Sequence, residues 1–437
     1  MLLKKINLSE ENIMKIGRAG VYLYGFSILV KKNMLNIGLG LMVIAGILLI
    51  KNFSLKKLDK VQKLFLILIL LTPLFDFFSP GGVESAGISI QKSYRFLPLF
   101  LAPIFLKNIE HIKKFIFFIN MSVLFHCFFV LNMYRELNWN FNIRYEGLPG
   151  VQYSSHHLVG LSYIVLGLIL LAYKEKNKIL LFISSFIYTF SLFIIFVSKT
   201  RGAWLALSFS MLFFLILLLN KKIILILSIC CILGSGFLIM NREKYENNVY
   251  YKRLVSIKDT KAASPRIRLM LWETAFNIWK EHPIFGVGKD NSPKFYVEYF
   301  EKNKEYVERN LPDRGSQAHL MEIAKSGNTH SMYFDNLLNM GLLSFYWVGI
   351  MVYTFILQLK YSIKLKISKN NYRNFIISLS SLCSLVVYSI SGALGSAWGS
   401  FLARHIFLIG LILFISINKL GDKENDKKND IIFCSRY

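Results

Sequence analysis

Acidic residues, and charged residues of either sign, are scarce in this chain. Asp and Glu account for only 26 of the 437 residues, and all charged residues together for 18%. Hydrophobic residues make up 54%, and the mean hydropathy is +0.45. Soluble globular domains carry about a quarter of charged residues. The composition therefore excludes an ordinary soluble domain and predicts an integral membrane protein.

Several catalytic and metal-binding motifs are also missing. The five cysteines form neither a CxxC pattern nor a disulfide framework. The sequence has no HExxH, no P-loop, no GxSxG and no DxD pair on the predicted outward side. The sequence therefore lacks the motifs that would bind a diphosphate through a metal ion and those that would form a serine-hydrolase site. We expect no metal and no cofactor, and an anionic substrate held by arginine and lysine.

The formal net charge is nevertheless +26, from 52 Lys and Arg against 26 Asp and Glu. Such an excess would suit a nucleic-acid partner, but most of it falls in short segments between apolar runs. Basic connectors are retained on the cytoplasmic side of a membrane. The charge therefore predicts topology, with both termini in the cytoplasm, and we expect no nucleic acid as a partner.

Apolar runs dominate the rest of the chain. A helix needs about 20 apolar residues to cross a bilayer, and about twelve candidate spans meet this need or approach it. The predicted fold is an all-α, polytopic membrane protein. The spans are predicted near residues 19–31, 34–50, 61–80, 92–107, 115–133, 155–173, 179–198, 203–220, 223–240, 333–359, 375–395 and 403–418.

One connector is far longer than an ordinary loop, a polar insertion of roughly ninety residues. Long loops cross the membrane largely regardless of their charge, so we expect this insertion outside the cytoplasm. The predicted domains are residues 1–240 with spans 1 to 9, residues 241–332 as the insertion, residues 333–418 with spans 10 to 12, and residues 419–437 as a cytoplasmic tail.

The insertion itself contains two segments with apolar residues at helical spacing. The first is SPRIRLMLWETAFNIWKEH, for which we predict Ser264 as the N-cap, Pro265 as the first helical residue and Pro283 as the terminator. A turn-rich stretch, PIFGVGKDNSP, separates it from the second, KFYVEYFEKNKEYVERN. We expect an amphipathic helical cap on the outer face of the membrane.

Arginines stand out near the outward ends of these elements, where water and substrate reach a membrane enzyme. Arg201, in SKTRGAWLAL, has no nearby acid and has small neighbours. The alternative is an arginine that only snorkels to the interface. Arg266 and Arg268 lie in the first turn of an insertion helix, where cations oppose the helix dipole. They predict an anionic ligand, and the alternative is a solvated face or a lipid-phosphate contact.

His330 lies in NTHSMYFDNLLNMG, just before an apolar helix. An imidazole, with an unperturbed pKa of about 6.5, can accept a proton from a hydroxyl near neutral pH. His330 is therefore a candidate general base. The alternative is a histidine that only starts a helix.

These stretches, in this order, resemble the O-antigen ligase and polymerase superfamily of bacterial membrane glycosyltransferases. The resemblance rests on SKTRGAWLAL, RIRLMLWETAFNIWKEHPIFGVGKDN and NTHSMYFDNLLNMGLLSFY, within residues 140–350. It implies a fold of the GT-C glycosyltransferase type, in the bacterial inner membrane, with the active site on the periplasmic face. It also implies lipopolysaccharide biosynthesis, in which a glycan passes from undecaprenyl diphosphate to a sugar hydroxyl of lipid A-core with inversion and without metal. The implied partners are this donor, this or another glycan acceptor, and membrane lipid.

The resemblance assigns catalytic roles to Arg201, Arg268 and His330. The two arginines would neutralise the diphosphate, and the histidine would orient or deprotonate the attacking hydroxyl. Most relatives have Asn directly after this histidine, whereas here Ser331 follows and Asn328 precedes. Ser344 also replaces the last glycine of a Gly-Leu-Leu-Gly ending. The predicted substrate-binding residues are Arg95, Arg144, Arg266, Asn328 and Ser331.

Two other functions compete with the ligase. A polymerase that joins lipid-linked repeat units would need much the same residues and topology. A polyprenyl-glycan transporter would instead carry ionisable residues near the middle of its spans. Asp76 is the main acidic residue within a run, no inverted repeat is apparent, and a transporter gives no reason for the arginine-bearing insertion.

Overall fold

The computed structural model describes residues 9–50, 54–141, 143, 154–218, 248–255, 263–368, 371–395 and 401–434. These residues form helices and turns with no strand among them, which confirms the all-α prediction. The helices before residue 220 are α1 (Glu10–Ser27), α2 (Lys32–Leu48), α3 (Lys60–Phe78), α4 (Gly82–Lys92), α5 (Leu97–Phe105), α6 (Ile109–Glu136), α7 (Ser154–Lys174), α8 (Lys178–Val197) and α9 (Arg201–Leu218). Those after residue 248 are α10 (Val249–Val255), α11 (Ala263–Glu281), α12 (Ser292–Lys302), α13 (Lys304–Asn310), α14 (Arg314–Ser326), α15 (Met332–Met340), α16 (Leu343–Ser368), α17 (Tyr372–Ala393) and α18 (Phe401–Cys434).

Eight helices in the described part of the chain are long and apolar enough to cross a membrane, namely α3, α6, α7, α8, α9, α16, α17 and α18. The chain is therefore a multi-pass membrane protein. Helix α2 is apolar but shorter. The spans predicted near residues 19–31 and 92–107 correspond to the second half of α1 and to the short α5. The span predicted near residues 223–240 lies outside the described residues, so the count of twelve stays a prediction.

Helix α17 lies at the centre of the bundle, where it contacts α7, α9, α16 and α18. Its buried face is rich in serine, as in Ser380, Ser381 and Ser384. A Cβ at Gly167 of α7 would collide with Ser380, so the two helices approach closely, as small residues permit between membrane helices. Helix α17 is thereby held close against α7.

Helices α11 to α14, which belong to the predicted external insertion, enclose an apolar core of their own. Leu271 and Ala275 of α11 are fully buried there, together with Tyr296 of α12. Helix α11 begins at Ala263, so Ser264 lies inside its first turn. The prediction of Ser264 as the N-cap is therefore wrong. The helix predicted after PIFGVGKDNSP is divided into α12 and α13 at Asn303, whose side-chain amide donates to the Tyr299 carbonyl (2.8 Å). An Asn side chain that bonds nearby backbone favours such a break.

The span predicted near residues 333–359 is also divided, into α15 and α16, at Gly341. Gly341 has φ +54° and ψ −130°, and a Cβ there would collide with the carbonyl of Ile284. That carbonyl accepts the backbone N–H of Leu342 (2.9 Å). The close approach of the loop after α11 sets the direction of α15, and Leu338 of α15 joins the external core.

Gly341 and Gly349 provide a matched pair of substitutions. We expect Gly341→Ala to destabilise the protein by about 1–3 kcal/mol, because a left-handed φ is strained for residues with a Cβ. Gly349→Ala, in α16, meets no atom within 4 Å and should leave stability unchanged or slightly raised, since alanine favours helix. Thermal unfolding of the two purified variants checks this, and equal midpoints would contradict it.

Candidate active site

The loop between α14 and α15 carries His330 in an uncommon backbone conformation. Its φ is +56°, in the left-handed region where residues with a Cβ are rare. The backbone N–H of His330 donates to Asn328 Oδ1 (2.7 Å). Ser331, and not His330, occupies the N-cap position of α15. His330 is thus held one residue before the N-cap, and its side chain is half-buried.

Asp335 fixes this loop from within α15. Its Oδ1 accepts the backbone N–H of Thr329 (2.9 Å) and the Thr329 hydroxyl (2.6 Å). The same hydroxyl oxygen accepts the N–H of Ser331 (3.1 Å). Thr329 is fully buried, and Ser331 and Asp335 are nearly so. The residues on both sides of His330 are therefore anchored to one carboxylate.

Helix α11 places Arg268 next to His330. Trp272, one turn beyond Arg268, donates its indole N–H to the Thr329 carbonyl (2.9 Å) and stacks on Phe334 with ring centroids 5.5 Å apart. Residues four apart share one face of a helix, so Arg268 projects from the face that contacts the loop. Arg266 lies about 200° around the helix from Arg268. Of the two insertion arginines, the structure brings Arg268 to the histidine.

Burial and Arg268 change the acid–base behaviour of His330. Partial burial disfavours the charged imidazolium, and the positive charge of Arg268 disfavours it further, with a smaller contribution from His319. Together they lower the pKa of His330 from 6.5 to about 4. His330 is therefore neutral at pH 7, the state in which an imidazole can accept a proton.

Arg201 begins α9, and the tryptophan of TRGAW anchors that end of the helix. Trp204 donates its indole N–H to the Ile195 carbonyl (3.1 Å) and stacks on Phe196 with centroids 5.7 Å apart. A Cβ at Gly202 would lie 2.8 Å from the His156 ring. The absence of a side chain at Gly202 thus lets the start of α7 pack directly against the start of α9, beside Arg201.

A series of contacts connects Arg201 to the His330 loop across the end of α17. His156 Nδ1 lies 3.0 Å from Ser391 Oγ. The next residue, Gly392, has no room for a Cβ because Met332 of α15 packs against it. The backbone N–H of Met332 also donates to the carbonyl of Gly395 (3.1 Å). The starts of α7, α9 and α15 therefore meet at one place, the C-terminal end of α17.

This stretch of the chain matches a known protein family. Residues 186–348 fit the family model of O-antigen ligase. They form an O-antigen ligase family domain. No curated protein matches the chain. The ligase-family domain spans Arg201, Arg268 and His330, the three residues to which the sequence resemblance assigned catalysis.

The predicted substrate-binding residues lie in different places. Asn328 and Ser331 belong to the His330 loop, where Asn328 accepts the His330 N–H and Ser331 is almost fully buried. Arg95 lies before the ligase-family domain, on a 3₁₀ turn after α4, near Arg404 and Asp290. Arg144 lies outside the described residues. No local spacing rule pairs Thr329 with Asp335, and sequence reasoning missed both.

The low pKa of His330 gives a titration that can be observed directly. Histidine NMR spectra of the purified protein, assigned by difference from His330→Gln, should show this ring titrating near pH 4. Arg268→Gln should raise the midpoint toward 6.5, because a positive charge that opposes protonation is removed. A wild-type midpoint near 6.5, or a fall in Arg268→Gln, would contradict this account.

Proposed function

We propose that this protein is an O-antigen ligase-like glycosyltransferase that moves a glycan from undecaprenyl diphosphate to a sugar hydroxyl. The family match supports a membrane glycosyltransferase of the ligase or polymerase type, which acts on a lipid-linked glycan and a glycan acceptor. The observation that carries the proposal is a neutral histidine beside Arg268, in a loop that contacts the helix ends next to Arg201.

The proposed reaction is a single displacement. The acceptor hydroxyl oxygen attacks the anomeric carbon, and its proton passes to the neutral His330 imidazole. The bond from the anomeric carbon to the diphosphate oxygen breaks, and its electron pair leaves with the diphosphate. Arg201 and Arg268 stabilise the charge that grows there. One displacement inverts the anomeric centre, and the mechanism is proposed to need no metal.

An apolar groove beside the site suits the polyprenyl chain of the donor. The groove, of about 690 Å³, lies between α11 and the junction of α15 and α16. Trp272, one helical turn from Arg268, lines one end of the groove. The side chains of Phe276 and Phe345 are exposed along the groove. A lipid chain in this groove would leave its diphosphate next to Arg268.

The proposed location is the bacterial inner membrane, with the site on the periplasmic face. Long external loops cross the membrane regardless of their charge, and basic connectors stay in the cytoplasm. The insertion with α11 to α14 then lies outside, where the lipid-linked donor presents its glycan. The proposed acceptor is lipid A-core, which makes the reaction a step in lipopolysaccharide biosynthesis. A fold of the GT-C type is part of the same proposal.

Substitutions at the three residues test the mechanism. With a lipid-linked oligosaccharide donor and purified protein in nanodiscs, His330→Ala should lower kcat by about 10²–10⁴-fold, the usual contribution of a general base. Arg201→Ala and Arg268→Ala should each lower it by about 10²–10³-fold, as loss of an oxyanion-stabilising group does.

An exposed arginine supplies the control. Arg309→Ala, on α13, should keep a near wild-type rate. Monodisperse size-exclusion profiles verify folding in every variant. The proposed mechanism would be overturned if the His330→Ala variant and the Arg201→Ala variant were each folded and each kept full transfer activity.

The glycans of a deletion strain separate a ligase from a polymerase. We expect long chains to accumulate on the polyprenyl carrier, since a ligase acts after the chain has been assembled. Mass spectrometry of the lipid-linked fraction measures their length. Accumulation of single repeat units would show that the protein joins repeat units as a polymerase.

A further inference from the structure

A polar cavity, separate from the apolar groove at Trp272, lies on the side of α15 away from α11. It measures about 60 Å³, enough for several water molecules. It lies between α3, the end of α4, the loop after α11 and the start of α18. Its polar lining includes Asp76, Lys92, Lys289, Asn336, Asn339 and Arg404. None of these residues has a role in the proposed transfer.

The glycine-rich stretch FGVGKDN presents Lys289 to this cavity. Gly286 and Gly288 have φ +69° and +90°, which lets the backbone lie against the end of α15. There the N–H of Val287 donates to the Leu338 carbonyl (2.9 Å) and that of Gly288 to the Asn339 carbonyl (3.2 Å). The loop is thus attached to the helix that follows His330.

The backbone of Lys289 is held on both sides. Its N–H donates to Asp76 Oδ1 (3.0 Å), and its carbonyl accepts the Ser85 hydroxyl (2.7 Å). The other Asp76 oxygen accepts the Ser89 hydroxyl. Asp76 therefore positions the backbone of Lys289. A transporter would instead use this acidic residue on the path of its substrate.

Positive charge exceeds negative charge around the cavity. Among the described residues, Lys92, Lys289, Arg404 and Asp76 line the cavity, and Arg95, Asp290 and Asp335 lie near them, so four cations against three carboxylates leave one positive charge. Arg404 is 4% exposed and lies 5.3 Å from the Phe96 ring centroid. An excess charge removed from water is costly unless an opposite charge joins it.

The carboxylates are already engaged within the protein. Asp290 pairs with Lys92 and lies 3.7 Å from Lys289 Nζ. Asp335 accepts two bonds from Thr329. Burial, followed by the charge of Arg404, lowers the pKa of Lys289. Lys289 therefore shares the carboxylate of Asp290 with Lys92.

A buried amide points to a ligand independently of the charges. Asn336 is 5% exposed and lines the cavity, and its Nδ2 makes no hydrogen bond with the described part of the chain. Buried polar groups are nearly always satisfied. An amide N–H donor next to an excess of positive charge matches an oxyanion.

Helix α15 separates this cavity from the Arg268 side. Phe334 and Leu338 pack into the external core beside α11, whereas Asn336 and Met340 line the cavity. Asn336 is only about one helical turn beyond the start of α15, a rise of about 6 Å. His330 and the cavity therefore adjoin the same end of one short helix.

We propose that this cavity is a second anion subsite, which binds a phosphate or carboxylate group carried by the acceptor glycan. Lys289, Arg404 and Asn336 hold that group, and Arg201 and Arg268 remain for the donor diphosphate. The inference rests on the proposed transfer for its assignment to the acceptor, but the binding of an anion can be measured without any transfer.

Inorganic phosphate is the probe for the binding test. Calorimetric titration uses the full chain in phosphatidylcholine nanodiscs, with Arg201→Gln and Arg268→Gln combined to remove the donor site. This double variant should still bind phosphate. Adding Lys289→Gln or the near-isosteric Asn336→Asp should weaken binding at least about tenfold, through loss of a charge-assisted bond or gain of repulsion. Lys294→Gln, an exposed lysine on α12, is the matched control and should change nothing.

Two results would overturn the subsite. One is no phosphate binding by the double variant, and the other is binding that is insensitive to both Lys289→Gln and Asn336→Asp in folded protein. Nanodiscs that also contain phosphatidylglycerol distinguish the source of the anion. Unchanged phosphate binding supports a group on the glycan, whereas displacement by this lipid assigns the cavity to a headgroup and overturns the acceptor assignment.

A transfer assay completes the test. On the wild-type background, Lys289→Gln should raise KM about tenfold for an acceptor that carries phosphate, and leave it unchanged for the same acceptor after phosphatase treatment. The KM for the donor should not move. An equal change with both acceptors would contradict the inference. Phosphate binding without transfer in the wild type would contradict the proposed function instead.

Discussion

The carboxylate of Asp335 is the constraint on which the candidate active site depends. It holds Thr329 through both the backbone N–H and the hydroxyl, and Thr329 in turn holds Ser331. Between these two buried residues the backbone of His330 has a positive φ. Strained conformations persist only where their surroundings fix them. The imidazole is thus oriented before any substrate arrives.

Helix α15 connects the His330 loop to the neighbouring elements of the candidate site. Although it has only nine residues, it contacts α11 on one side and borders the Lys289 cavity on another. Its start bonds to Gly395 beyond the end of α17, and its end meets the glycine-rich loop at Ile284. Arg268, His330 and Lys289 therefore belong to elements that touch one short helix, and Arg201 is connected to that helix through the end of α17. A shift of α15 would thus disturb the proposed donor and acceptor sites together.

Much of this arrangement follows from local sequence rules. Apolar runs predict most of the membrane helices, and the spacing of Leu271, Ala275 and Ile278 predicts the buried face of α11. The helix ends were harder to predict. Gly341 lies inside an apolar stretch that reads as one span, and its break depends on the carbonyl of Ile284, which comes from a distant segment.

The site was predicted only in part for the same reason. Arg201, Arg268 and His330 are visible as polar residues at element ends, but the start of α9 is connected to the His330 loop by the end of α17, some sixty residues beyond His330. Thr329 and Asp335 carry no motif, because their bond crosses from a loop into the following helix. Lys289 is one basic residue among 52 Lys and Arg in the sequence, and only the fold places it opposite Asn336 and Arg404.

In the proposed mechanism, His330 and the two arginines surround the reacting bond. An electron cryomicroscopy structure of the protein with a phosphonate analogue of the lipid-linked donor would test this arrangement. We expect the phosphorus groups within hydrogen-bond distance of Arg201 and Arg268, the lipid along the groove at Trp272 and Phe345, and the His330 ring facing the anomeric carbon. Phosphorus density at Lys289 and Arg404, with the Arg268 side unoccupied, would contradict it.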